Sequence, residues 1–284
     1  MQGTTVRRVG LVLAATALTG VAACTSQEFS GTSGRDDRAA RGRALAALRA
    51  AERATEDAES ARVESSTTMG SLMSMTADGT LRWSDGITGT LTIRYTGGTV
   101  ADTMRRLGTP SMEARYLPEA YYARMGEKFA EQTDGRRWIR YAYKDLEELA
   151  GSSGAHLGDQ MRSTTPNQSV KLLLSSGDVR KVGRETVRGR STTHWSGTVT
   201  AADVADAGLR KQLTGAGVTT ETVDIWVDER NLLVKKVEKA RMATGLMTQT
   251  AHYADYGVEV RAERPPRSDT GDFEDLMRKQ PGRP

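Results

Sequence analysis

About ten segments of the chain alternate apolar and polar residues with a period of two, and this pattern constrains the fold more than any other feature. In a β-strand, successive side chains point to opposite faces, so the alternation predicts strands with one buried and one solvated face. In one clear case, Leu91, Ile93 and Tyr95 alternate with polar residues. The predicted strands lie near residues 63–69, 73–83, 90–95, 112–116, 121–125, 137–141, 192–199, 222–227, 232–238 and 247–253.

The connections between these segments are mostly short and polar, and they contain turn residues such as Ser84-Asp85-Gly86. Short connections join antiparallel neighbours, whereas parallel strands need long crossovers. The sequence therefore predicts one wide antiparallel sheet.

Helical spacing is confined to a few stretches. Residues 38–62 are rich in Ala, Arg and Glu, with a narrow stripe at three- and four-residue steps formed by Leu45, Leu48, Ala51, Thr55 and Ala58. Shorter helices are predicted at 144–150, from 165 to 177 and at 200–213, the last with Thr200 as its cap. The predicted fold class is α+β, with helices on one face of the sheet.

The N-terminal segment has the layout of a secretory signal peptide. Residues 1–8 contain Arg7 and Arg8 and no acid, and residues 9–23 form an apolar run. A membrane-spanning helix needs about 20 apolar residues, and the residues after Cys24 are polar. We therefore interpret residues 1–23 as a signal peptide for export.

Cys24 is the single cysteine of the chain, which excludes an intramolecular disulfide. The sequence Val21-Ala22-Ala23-Cys24 resembles the bacterial lipobox, and this resemblance implies lipidation of Cys24 and cleavage before it. Two acyl chains hold a protein on a bilayer stably. The alternative is an ordinary signal peptide that happens to contain a cysteine. The lipobox predicts a lipid-anchored protein at the outer face of the cytoplasmic membrane.

Three segments are predicted for the mature chain. Residues 24–37 form the lipidated cysteine and a flexible Gly/Ser-containing linker, and residues 38–263 form one folded domain. Residues 264–284 form a Pro-rich tail with a disordered end, of which Phe273, Leu276 and Met277 could dock as one short turn.

Charge and motifs exclude several functions. Forty Lys and Arg against 36 Asp and Glu leave a net charge of +4, too small to argue for nucleic acid. The three histidines are far apart and give no zinc spacing, and no GxGxxG, Walker A, HExxH or GxSxG motif occurs. We therefore expect no enzyme, no cofactor and no metal site.

Three short sequence segments resemble those of a known family. They are Leu117-Pro118-Glu119-Ala120-Tyr121-Tyr122 followed by Trp138-Ile139-Arg140, then 182–189 (VGRETVRG, read as a turn before a strand), then 223–228 (VDIWVD). With the lipobox, linker, Ala-rich helix and sheet, their order resembles the actinobacterial lipoproteins of the LppX/LprG type, within the LolA-like superfamily. The resemblance implies a curved half-barrel sheet with helices on its concave face and a hollow that holds acyl chains.

Methionines at strand spacing are concentrated in the first half of the sheet, and flexible thioethers suit a pocket for chains of varying shape. The predicted cavity-lining residues are Met69, Met73, Met75, Leu81, Trp83, Leu91, Ile93, Met112 and Met125. The alternative is that these side chains simply fill the core.

The predicted function is a membrane-anchored extracytoplasmic lipoprotein that binds, and could carry, a lipid or other amphiphile. The alternative is a regulatory or sensory lipoprotein that binds a membrane protein partner. The sequence leaves the identity of any protein partner open.

Overall fold

The structure, a computed structural model, describes residues 32–149, 165–242 and 245–279. The chain divides into two compact units, Met1–Arg38 and Ala39–Pro284, and the described core belongs to the second. The predicted signal peptide 1–23, the lipidation site Cys24 and linker residues 25–31 lie outside the described residues. Within the described ranges, no helix has both the length and the apolar character needed to cross a bilayer.

The dominant element is one sheet of twelve strands, in the order β12-β6-β5-β4-β3-β2-β1-β11-β10-β9-β8-β7. All neighbours pair antiparallel except β12, which runs parallel to β6. The strands are β1 (Ser60–Met69), β2 (Met73–Arg82), β3 (Thr88–Gly97), β4 (Ser111–Leu117), β5 (Ala120–Arg124), β6 (Trp138–Ala142), β7 (Arg180–Val187), β8 (Arg190–Val199), β9 (Val218–Asp228), β10 (Leu233–Met242), β11 (Gly245–Ala254) and β12 (Thr270–Asp272).

The sheet is open, because β7 and β12 are edge strands at opposite ends of the order. The helices are α1 (Thr32–Asp57), α2 (Gly98–Arg106), α3 (Glu127–Ala130), α4 (Tyr143–Leu149), α5 (Pro166–Ser175), α6 (Ala207–Gly215) and α7 (Phe273–Lys279). The predicted α+β class with a single large curved sheet is confirmed. The prediction of about ten strands missed the two edge strands.

Strand register separates the sheet into two faces. One face, which we call the inner face, packs against helices and carries one continuous row of mostly apolar residues. From β9 to β4 this row consists of Ile225, Lys236, Ala251, Ser65, Ala77, Ile93 and Met112. The neighbouring row on the outer face is polar, with Glu64 opposite both His252 and Asp78.

Helix α1 covers part of the inner face with a stripe of small residues. Leu48, Ala51 and Thr55 are fully buried, in agreement with the predicted stripe. The Leu233 backbone N–H at the start of β10 donates to the Thr55 hydroxyl at 3.2 Å, so the end of the helix is joined to the sheet. The helix ends earlier than predicted, at Asp57, because Ala61 and Val63 already alternate as inward-facing residues of β1.

Helices α5 and α6 complete the first core cluster, over β8–β10. Val170 and Leu173 of α5 are fully buried. The helix follows Thr165 and has Pro166 in its first turn, as predicted. It approaches β8 at Gly197, where an added Cβ would lie 2.8 Å from Leu173 Cδ1 and 2.6 Å from Ser176 Oγ.

A second core cluster lies on the inner face of β2–β5. It contains Leu91, Ile93 and Tyr121, together with Tyr143 and Leu146 of α4. The Tyr121 ring packs edge-on against Tyr116 with centroids 5.1 Å apart. Burial raises the pKa of Tyr121 well above its ordinary value, as expected for a phenol inside an apolar cluster.

Three local predictions were wrong. Residues 182–189, interpreted as a turn, lie mostly in β7, and the actual turn is Arg188-Gly189 with φ of 49° and 80°. The helix predicted at 200–213 begins only at Ala207, because the Asp203 carboxylate binds the Thr200 N–H in a separate turn. Asp206 is the actual cap and accepts from Leu209 N at 2.8 Å.

Up to Lys279 the tail forms more regular structure than the one docked turn that we expected, and residues 280–284 lie outside the described residues. Thr270–Asp272 forms β12 against β6, and Arg137 N–H donates to the Asp269 carboxylate at 2.9 Å. Phe273 packs against the second core cluster, with its ring 4.8 Å from that of Tyr141. The tail docks through these polar and aromatic contacts.

Candidate functional site

Half-buried methionines form a strip on the inner face, beside the second core cluster. Met69, Met73, Met75, Met112 and Met125 make up this methionine strip, and all five are half-buried. Met69 lies directly opposite Met73 on β2 and Met247 on β11. The strip is therefore an apolar, polarizable surface that the helices leave partly uncovered.

The structure brings most of the predicted cavity-lining residues together. Leu91 and Ile93 are buried in the second core cluster, against which Met75, Met112 and Met125 pack. Leu81 packs against both core clusters.

Trp83 lies apart from the strip. Its indole N–H donates to the Glu56 carbonyl at 3.2 Å, and its ring meets Tyr256 edge-on at 6.3 Å. Trp83 thus joins α1 to the chain after β11. The lining role of all nine predicted residues, including Trp83, remains a prediction.

A polar group that the sequence analysis did not anticipate lies beside the strip. Lys236 and Glu238 on β10 are 5% and 6% exposed, and Lys236 Nζ lies 2.8 Å from Glu238 Oε2. Burial alone would lower the pKa of Lys236, but the charge and hydrogen bond of Glu238, together with Tyr253 and Glu221, outweigh burial, and the pKa is raised. The ion pair is therefore fully formed inside the protein.

Glu221 on β9 is a second buried acid on the same face, with 5% of its surface exposed. Burial first, and then the negative charge of Glu238, raise the pKa of Glu221 to about 8, against the opposing effect of Lys236. At neutral pH this carboxyl is therefore mostly protonated, and it can both donate and accept a hydrogen bond.

Register places these polar residues next to the methionine strip. One row across the inner face is Glu238, Gln249, Thr67 and Met75, and the adjacent row is Glu221, Ala240, Met247, Met69 and Met73. Gln249 Nε2 donates to Thr67 Oγ1 at 3.4 Å. We call Thr67, Glu221, Lys236, Glu238 and Gln249 the polar floor.

The outer face carries an open charged cleft of about 500 Å³, lined among others by Arg62, Glu64, Asp78, Arg188 and His252. Arg188 pairs with Glu64 at 2.8 Å, with both side chains half exposed. Burial and then Arg188 and Lys235 lower the pKa of His252, which favours its neutral form. The cleft offers a solvated polar surface rather than one suited to hydrocarbon.

His194 is the centre of a second outer-face cluster. Its Nδ1 lies 2.9 Å from Glu185 and its Nε2 lies 2.9 Å from Asp224, while its ring stacks on Trp226 with centroids 4.1 Å apart. Trp226 Nε1 donates to Glu185 at 2.8 Å. These hydrogen bonds, from Trp226 first and then His194, lower the pKa of Glu185. The cluster fastens edge strand β7 to β8 and β9.

One tip of the sheet exposes two leucines. Leu72 is 45% exposed and Leu246 is 53% exposed, and a hydrogen bond from Gly70 N–H to the Leu246 carbonyl, 3.2 Å long, joins their two turns. This exposed apolar tip borders Met69 and Met247.

Two solved structures share the fold. LprF from Mycobacterium bovis matches with a TM-score of 0.51 at 17% identity, covering 79% of this chain and 97% of LprF. The Mycobacterium tuberculosis lipoprotein LppX matches with a TM-score of 0.50 at 15% identity, covering 78% of this chain and 99% of LppX. The molecule therefore has the open-sheet fold of the LppX/LprF lipoproteins, as the resemblance implied.

Two proteins are similar in sequence, although no family model matches the chain. SCO4650 of Streptomyces coelicolor, a candidate lipoprotein by name, is 54% identical over 299 aligned positions, covering 99% of both chains. A 31.2 kDa protein encoded between rplA and rplJ in Streptomyces griseus is 49% identical over 245 positions, covering 82% of this chain and 80% of that protein. The chain belongs to the family of these Streptomyces proteins, one of which is named as a lipoprotein.

Proposed function

We propose that this protein is a membrane-anchored extracytoplasmic lipoprotein that binds the hydrocarbon chain of a lipid or other amphiphile against the methionine strip. The observation that carries the proposal is the strip itself, because five half-buried methionines on the helix-covered face present apolar surface that the protein's own side chains cover incompletely. Removing such surface from water is favourable by about 25 cal/mol per Å². No catalytic step belongs to this role.

The shape of the strip suits a flexible chain. Methionine adapts its conformation to irregular partners more readily than branched side chains do. The Tyr95 hydroxyl donates a hydrogen bond to the Met112 sulfur at 3.7 Å, so this polar group is satisfied by a residue of the strip. The LppX/LprF-like fold and the family membership support a lipid ligand.

The proposed location rests on Cys24. Lipidation of this residue would tether the folded unit at the outer face of the cytoplasmic membrane. Replacing Cys24 by serine removes the thiol, so we expect the variant to leave the membrane fraction when cells are fractionated. Retention of the Cys24→Ser protein on the membrane would contradict the anchor.

Binding is tested by displacement of a fluorescent hydrocarbon, diphenylhexatriene, from a chain that begins at residue 25. We expect the native chain to bind the dye and Met75→Gln/Met112→Gln to bind about tenfold more weakly. The reason is that an amide left under hydrocarbon costs about 0.5–2 kcal/mol per group.

The matched control is Met277→Gln, the same substitution at a methionine that is 51% exposed on α7. We expect this variant to bind like the native chain. An equal loss of dye affinity in the double variant and the control would contradict the proposal, and so would the absence of dye binding by the native chain.

A second candidate function is a regulatory lipoprotein that binds a membrane protein partner. The exposed pair Leu72 and Leu246 favours it, because adjacent exposed leucines are typical of contact surfaces. The Leu72→Ser/Leu246→Ser variant distinguishes the two functions. If the protein binds lipid at the strip, the variant should still bind the dye. If a partner docks at the tip, the variant should fail to replace the native protein in cells.

A further inference from the structure

Glu221 is an inner-face residue whose carboxyl takes no part in the hydrogen bonds or ion pairs of the described residues, although the residue is only 5% exposed. Its oxygens are not among the fully enclosed side-chain atoms that lack a partner, so they keep a small accessible surface on this face. An unpaired buried carboxyl destabilises a protein. By contrast, the charges of the neighbouring Lys236 and Glu238 are paired with one another. An unpaired polar group on the face that carries the proposed ligand therefore points to a contact with the ligand.

The surroundings of Glu221 define what it could bind. The charged groups that act on it are Glu238 and Lys236 of β10. Tyr253 of β11 acts on Lys236 in turn. One N–H of the Lys236 ammonium is used by Glu238, and an ammonium has three donors. The polar floor thus offers hydrogen-bond donors and acceptors with no net charge while Glu221 is protonated.

We infer that the polar floor binds the uncharged, hydroxyl-bearing head of an amphiphile, with Glu221 as a direct hydrogen-bonding partner and the hydrocarbon chain along the methionine strip. This inference rests on the proposed function of the strip. It adds the class of head group and the residue that recognises it.

The spacing of the strands fits this arrangement. Glu221 lies on β9 and Met69 on β1, three strands apart in the sheet. At about 4.8 Å per strand the separation is roughly 14 Å. One leaflet of a bilayer contributes half of its hydrocarbon core of about 30 Å. From a head group at Glu221, a chain of about the length of one leaflet therefore passes Ala240 and Met247 and reaches the strip at Met69.

Charge favours a neutral head group. Because Lys236 and Glu238 neutralise one another, neither sign of charge gains a net attraction here, and a charged head would have to leave water for a largely apolar face. A hydroxyl can accept a hydrogen bond from the protonated Glu221 and donate one in return. A pKa of about 8 for Glu221 keeps this form available at neutral pH.

The test compares three probes with the same sixteen-carbon chain: monopalmitoylglycerol, methyl palmitate and hexadecylammonium. Each displaces diphenylhexatriene from the chain that begins at residue 25. At pH 6.5 we expect monopalmitoylglycerol to displace the dye at about tenfold lower concentration than either other probe, the effect of one or two hydrogen bonds. At pH 9.5 this preference should shrink, because ionised Glu221 no longer donates.

Two substitutions of Glu221 isolate its role. Glu221→Gln keeps a neutral donor and acceptor, so we expect the preference to persist at both pH values. Glu221→Leu removes both groups, so we expect the two uncharged probes to differ by less than twofold. The preference is the ratio of the concentrations at which two probes displace the dye from the same variant. This ratio separates head-group recognition from any change in folding, because a folding defect affects both probes equally. Glu229→Gln, at an exposed turn, is the control and should retain the pH dependence of the native chain.

Each outcome bears on one claim. Dye binding with equal displacement by monopalmitoylglycerol and methyl palmitate would overturn the inference and leave the proposed function standing. Stronger displacement by hexadecylammonium would overturn the neutral head group. A preference unchanged in Glu221→Leu would remove Glu221 from the site. No dye binding by the native chain would instead contradict the proposed function.

Discussion

Replacing Lys236 by methionine tests the energetics of the polar floor. The substitution keeps the side-chain length but leaves Glu238, which is 6% exposed, without the ammonium 2.8 Å away. Breaking a buried ion pair by removing one partner costs about 3–5 kcal/mol. For a domain of this size, 1 kcal/mol corresponds to about 2–4 °C. We therefore expect Tm to fall by about 6–20 °C in thermal unfolding followed by circular dichroism.

Two further variants make the result interpretable. Lys239→Met makes the same change at an exposed position of β10 and should alter stability by less than about 0.5 kcal/mol. Lys236→Met/Glu238→Leu removes both charges and should recover most of the loss, because apolar replacement of a whole buried pair is often neutral. A Lys236→Met protein as stable as Lys239→Met would refute the buried pair.

Three other changes probe different parts of the structure. Because burial raises the pKa of Glu221 from its ordinary value of 4.5 to about 8, the folded state loses stability progressively as pH rises between those values. We therefore expect Glu221→Gln to exceed the native chain in urea-measured stability by about 3 kcal/mol at pH 7, with no gain at pH 4. The lowered pKa of Glu185 has the opposite effect, because the ionised carboxylate stabilises the folded state at neutral pH and this stabilisation is lost in acid. Glu185→Gln should therefore lower the stability by about 1 kcal/mol at pH 7 and leave it unchanged near pH 3. Gly79→Ala places a Cβ 2.0 Å from the Thr90 carbonyl oxygen and should cost about 1–3 kcal/mol, whereas Gly183→Ala, with nothing within 4 Å, should be neutral in the same urea titration.

Period-two alternation was sufficient to predict the interior of the sheet. The inward residues of β3 and β4 are apolar at every second position, so the strands are visible without knowledge of their partners. The edge strands lack this signal. β7 is exposed at most positions because it is an edge strand that pairs with a neighbour, β8, on one side only. β12 has three residues, too few to show a period.

Helix starts depended on side chains that compete for the same backbone groups. Thr200 is a good cap by type, but Asp203 binds its N–H and its hydroxyl, and buried Val204 holds the segment in that turn. Asp206, three residues after Asp203, then caps α6. A preference for capping residue types could not choose between Thr200 and Asp206 without the tertiary contact.

The methionine strip was predictable because its residues have strand spacing within one stretch of chain. The polar floor was not, since it requires the register between β9, β10, β11 and β1. One local signal existed: Lys236 and Glu238 occupy the alternate positions that should face inward if Lys235 and Lys239 face solvent. Charged residues on a predicted buried face indicate either a wrong register or a functional group, and only the pairing of strands decides between them.

The proposed function depends on hydrocarbon that occupies the methionine strip. Native mass spectrometry of the chain from residue 25, purified from cells and then mixed with monopalmitoylglycerol, measures this directly. We expect one bound amphiphile per chain, retained by Met277→Gln and strongly reduced in Met75→Gln/Met112→Gln. A native chain that carries no lipid from the cell and takes up none of the added monopalmitoylglycerol would contradict the proposed function.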